Sequence, residues 1–93
     1  MCSSDLAVGS IALNRNVSGT NNTAVGHQAS YFNDSGSSNT SIGHAAGTSN
    51  IAGNSNTAIG ANALIANTGD DNTAVGAFSL QSVTGSGSTA VGA

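Results

Sequence analysis

Asn22-Thr23-Ala24-Val25-Gly26-His27-Gln28-Ala29 is the stretch on which the fold turns, because it returns along the chain with small changes. Asn39-Thr40-Ser41-Ile42-Gly43, Asn56-Thr57-Ala58-Ile59-Gly60 and Asn72-Thr73-Ala74-Val75-Gly76 repeat it, and Ser88-Thr89-Ala90-Val91-Gly92 is a variant. Val8-Gly9 belongs to the same series, so the glycines fall at 9, 26, 43, 60, 76 and 92, spaced 17, 17, 17, 16 and 16. A second glycine follows at Gly19, Gly36, Gly53, Gly69 and Gly85, ten residues on in the first three repeats and nine in the last two. The one-residue contraction therefore lies between the two glycines. The unit reads N-T-A-[VI]-G-x-x-A-[L]-x(4-5)-[TS]-G-x-x.

A period of 16 or 17 residues is too short for a helical hairpin repeat or a propeller blade. It suits one coil of a parallel β-solenoid, in which short strands alternate with turns. Val8, Val25, Ile42, Ile59, Val75 and Val91 form a β-branched column with strand propensity and are expected to face the core. Both glycine columns are expected to supply positive-φ turn positions. Ala12, Ala29, Ala46 and Ala63, with Ser79, mark a place where layers pack too closely for more. A partial leucine column at Leu13, Leu64 and Leu80 is broken by Ser30 and Gly47. Parallel pairing at roughly 4.8 Å predicts a rod of about five and a half coils, near 26 Å long. Helix is disfavoured in every window by Gly, Asn, Ser and Thr.

Gly (13), Ser (15), Asn (12) and Thr (9) make up more than half of the 93 residues, and 15 of the apolar residues are Ala. A conventional globular core is thereby excluded. Arg15 is the single cation in the chain, which leaves nothing to neutralise a nucleic-acid backbone. No apolar run approaches the roughly 18 residues of a membrane-spanning helix, so direct membrane insertion of this segment is not expected. One cysteine, Cys2, supports neither a disulfide framework nor a zinc site. Residues 1–6 stand outside the repeat and read as a non-native or tail segment. Residues 7–93 read as one repeat module, a fragment of a longer chain.

The [A/S]-[V/I]-G-x-x-A portion of these units resembles the head repeats of trimeric autotransporter adhesins. Asn22 to Ala29 and Asn56 to Ala63 carry the likeness most closely, and it extends over residues 7–93. The resemblance implies a left-handed parallel β-roll, three chains side by side, on the surface of Gram-negative bacteria. The longer excursion between alanine and the second glycine departs from those heads. It is similar to repeats of phage tail-fibre-like proteins.

Candidate chemistry is sparse. His27 and His44 share the position after the repeat glycine, in a column continued by Ser10, Ala61, Ala77 and Ala93. In a trimer they would make six imidazoles in two rings, an arrangement that invites a metal or a pH response, although a merely variable turn position explains the column more simply. Asp34, Asp70 and Asp71 read as solvated turn residues, without the spacing of calcium-binding coils. Tyr31 and Phe32 are a candidate receptor contact, though filling the gap left by Ser30 is the stronger expectation, and Phe78 is expected to pack similarly. Asn22, Asn39, Asn56 and Asn72 read as a ladder of stacked amides.

No catalytic, cofactor or metal site is expected, and no enzyme activity. The expected function is a structural and adhesive segment of a trimeric bacterial cell-surface adhesin head, extracellular, with itself and a host surface or matrix receptor as partners. A phage fibre shaft is one alternative. An ice-binding solenoid is the other, because Thr23, Thr40, Thr57, Thr73 and Thr89 would form a ladder, but one Thr per coil predicts only a single file. The thin core predicts association into trimers.

Overall fold

The computed structural model describes every residue except 1–4, 17, 51, 68 and 93, so Cys2 and Ala93 lie outside the described residues. The chain is a parallel β-solenoid. Six short strands form one sheet: β1 (Leu6–Val8), β2 (Thr23–Val25), β3 (Thr40–Ile42), β4 (Thr57–Ile59), β6 (Thr73–Val75) and β8 (Thr89–Val91). Each pairs in parallel with the next, with Thr opposite Thr and Val or Ile opposite Val or Ile from β2 onward. A second, two-stranded sheet joins β5 (Ala66–Asn67) to β7 (Ser82–Val83). The molecule measures 30 × 23 × 16 Å along its principal axes.

The direction in which each strand faces departs from expectation. Ala24, Ser41, Ala58 and Ala74, the middle residues of their strands, point inward and are at most 3% exposed. The β-branched column points outward, with Ile42 38% and Ile59 37% exposed. Alternation along a strand allows only one of these two sets to face the core. The interior decides between them: of its eight buried hydrophobic residues, six are Ala and two are Leu. A coil this thin has room for a methyl group on the strand side and none for an isobutyl or isopropyl column.

Polar side chains hold the turn that leads into each strand. Asn22, Asn39, Asn56 and Asn72 are buried. Each Oδ1 accepts the backbone N–H of the next coil's residue in the column, at 3.0, 2.8, 2.9 and 2.8 Å, ending on Ser88. Each Nδ2 donates to the carbonyl of Gly36, Gly53, Gly69 or Gly85. The expected ladder is therefore present, and it links coil to coil rather than amide to amide. A second column, Asn16, Asn33 and Asn50, is also buried and donates to the glycine carbonyl three residues on in its own coil. The sequence reading did not isolate this column.

Asp5 and Leu6, the described residues of the segment set apart as residues 1–6, belong to the stack. Leu6 begins β1, and Asp5 takes the asparagine position, its Oδ1 accepting the Asn22 N–H at 2.8 Å. A carboxylate can do this half of the asparagine's work because the bond needs only an acceptor.

The two glycine columns serve different ends. Gly26 sits at φ +127°, and the next turn closes through the Ala29 N–H to the Gly26 carbonyl, with Gln28 at φ 63° as a type II turn requires. Gly36 has no positive φ. A Cβ there would lie 2.3 Å from the Gly53 carbonyl oxygen, so this column is glycine because neighbouring backbones approach too closely for a side chain.

The apolar interior is in two pieces. Leu13, Ala24 and Ala29 form one, and Ala46, Ala58, Ala63, Leu64 and Ala74 the other. Between them Ser30 donates its hydroxyl to Ser41 Oγ at 2.7 Å, both side chains buried, beside Gly47. The gap in the leucine column is thus closed by a hydroxyl pair. Phe32 and Phe78 are 38% and 54% exposed and do not fill the core, contrary to expectation.

Candidate functional site

The outward side of the six-stranded sheet is the most regular surface of the molecule. In a T-A-V strand the first and third residues share a face. Thr23, Thr40, Thr57 and Thr73 are half-buried and Thr89 is exposed. Beside them runs the file of Val8, Val25, Ile42, Ile59, Val75 and Val91, from half-buried at Val25 and Val75 to 78% exposed at Val91. The single threonine file expected from sequence is therefore one of two. Strand geometry sets the files roughly 6.6 Å apart and the residues within each file roughly 4.8 Å apart. None of the six strands contains a charged residue. The signal for the second file was present in sequence as the period-2 spacing of Thr and Val.

The face is held by backbone on all sides. Gly26, Gly43, Gly60, Gly76 and Gly92 each donate N–H to the Val or Ile carbonyl of the preceding coil at 2.7 to 2.8 Å. Thr23, Thr40, Thr57 and Thr73 donate N–H to the following Asn39, Asn56, Asn72 and Ser88 carbonyls. Side chains on such a wall have little freedom to leave their register.

His27 and His44 occupy the corner after this wall. Both are exposed, their rings stack at 5.3 Å between centroids and 15° between planes. The backbone beneath them is in register, with the Ala45 N–H donating to the His27 carbonyl and the Asn62 N–H to the His44 carbonyl. Among the described residues no three His, Cys, Asp or Glu side chains come together as metal ligands.

Tyr31 and Phe32 meet edge to face at 4.6 Å, and the Arg15 guanidinium lies 5.6 Å from the Phe32 ring centre. This small aromatic and cationic cluster is on the surface of the excursion, away from the strand wall. Asp70 serves the stack directly: its Oδ1 accepts the Asn54 N–H at 2.7 Å, and its own N–H donates to Ser86 Oγ. No enclosed cavity is present among the described residues. No helix among them is long and apolar enough to cross a membrane.

No known protein family, curated protein or solved structure matches this chain.

Proposed function

We propose that this chain is a repeat segment of a trimeric bacterial cell-surface adhesin head, working outside the cell and mediating attachment. The observation that carries the reading is the outward wall of the solenoid, where the five strands from β2 onward present the same Thr and Val or Ile pair in register. A surface that repeats one weak contact along a rigid rod gains avidity from repetition, and three chains side by side multiply it again. The thin interior, six of whose eight buried hydrophobic residues are Ala, supports the homotrimer, because association supplies burial that one coil lacks.

Fusion of the chain to a trimeric coiled coil tests this. Sedimentation should report three chains with a cooperative melt sharper than that of the unfused form, and coated beads should adhere to a surface that bare beads leave. An unfused chain that is monomeric, equally cooperative and non-adherent would remove the proposal. The ten-residue gap between Gly26 and Gly36 favours a second reading, a shaft segment of a phage tail-fibre-like protein. The gene surrounding the segment separates the two.

A further inference from the structure

We infer that the surface gripped by the Thr and Val/Ile wall is ice. The inference rests on the adhesive reading and names its target. Three observations carry it. First, the wall is a two-dimensional net. From β2 to β8, four strand steps of roughly 4.8 Å give it about 19 Å of length, and its two files stand roughly 6.6 Å apart. The prism faces of ice present water oxygens in rows on a rectangular net of comparable dimensions. Second, the chemistry alternates as an ice contact requires. The methyl groups of Val25, Ile42, Ile59 and Val75 order the water against them without bonding to it. The hydroxyls of Thr23, Thr40, Thr57 and Thr73, each able to donate and accept, anchor that ordered layer. No charge in the strands competes for water.

Third, the net is rigid. Every strand is tied to its neighbours by backbone bonds of 2.7 to 2.9 Å at both ends, and the buried asparagine ladder locks the turn that leads into it. A flexible array would lose its match to a lattice at once. The size of the wall also argues for a crystal. About 19 Å by 7 Å is on the order of 130 Å², far below the roughly 800 Å² per partner that a stable protein interface buries. A protein docking on this strip alone would be held weakly, whereas a lattice continues the same contact for as many coils as the rod offers.

The test is partition of the 93-residue chain into slowly grown ice, with single-crystal growth observed under a microscope. The chain should concentrate in the ice fraction and facet the crystals. Thr57→Tyr places a ring in mid-wall and should lower the ice-bound fraction roughly tenfold, since lifting neighbouring coils off the lattice removes a multivalent contact as a whole. Thr57→Val keeps the methyl and the fold and should give an intermediate loss, guarding against misfolding of the bulkier variant. Gln81→Tyr, on an exposed position away from the wall, should partition like the parent. Exclusion of the parent from ice to the extent of an inert globular protein would overturn the inference, as would equal partition of the parent and both Thr57 variants. Beads that still adhere to other surfaces in that case would leave the adhesive reading standing; beads that adhere to nothing would remove both.

Discussion

Along the strand wall, Ala24, Ser41, Ala58 and Ala74 face inward with side chains as small as the space allows. Two residues earlier in each coil, Asn22, Asn39, Asn56 and Asn72 are as deeply buried, yet each carries an amide that bonds to the following coil. Both columns have the same period and the same burial, and they cohere by different means. The wall is held by backbone ladders and by the absence of bulk. The turn is held by side chains that satisfy backbone groups left over where no strand pairs them. The contrast teaches that a narrow solenoid can replace a hydrophobic core with a polar one, provided that every buried donor and acceptor is placed. Among the described residues, Asn33 Oδ1 is the one buried side-chain atom left without a partner.

Gly60→Ala strikes both sides at once and should have the largest effect. Gly60 lies at φ +124°, and a Cβ there would sit 2.7 Å from the Gly76 carbonyl carbon and 2.8 Å from its oxygen. A backbone that can neither adopt the angle nor move aside should lose more than about 4 kcal/mol, enough to abolish a cooperative melt followed by circular dichroism.

Next comes a pair of charges on adjacent residues. Ala58→Asp buries a carboxylate in the apolar cluster and should cost about 3 to 4 kcal/mol, while Ile59→Asp on the outward file should cost about 1. Chemical denaturation of the two variants reads the difference. Equal cost at both positions would mean that the strand's inner and outer sides have been assigned wrongly.

On the turn, Asn56→Ala removes the acceptor of the Asn72 N–H and a donor to the Gly69 carbonyl. A loss of about 2 to 3 kcal/mol is expected, because buried hydrogen-bonding groups are costly to strand. The same denaturation midpoint checks it.

The smallest effect concerns the waist between the two apolar clusters. Ser30→Leu alone should destabilise, since it leaves Ser41 Oγ without the hydroxyl that bonds it. Ser30→Leu with Ser41→Ala should instead gain about 1 kcal/mol by joining the clusters through the leucine column. A double-mutant cycle measures the coupling, and additivity of the two changes would show that the hydroxyl pair holds nothing.

Much of this was legible in the chain. The repeat length, the strand positions, the parallel stack and the Asn22 to Asn72 ladder follow from spacing and residue type, because each coil meets only copies of itself. The inner and outer sides of the strands were not legible in the same way. Val25 has more hydrophobic surface than Ala24, and reading it as core follows the usual weight given to size. The Val and Ile file beside the threonines was missed for the same reason, since a column assigned to the interior cannot also line a face. Asn16, Asn33 and Asn50 were hidden because variable residues surround them, and Asp5 because its neighbours Met1 to Ser4 fit no repeat.

The sequence by itself determined that the chain stacks coils of 16 or 17 residues, for a period is a property of order along the chain and survives without coordinates. Only the tertiary structure decided which residues those coils enclose. The distance between opposite sides of a coil is set by the turns on both ends together. At that distance the strand side encloses a methyl or hydroxymethyl group, the turn before it a bonded amide, and the leucine column Leu13 and Leu64, while the β-branched column is left outside.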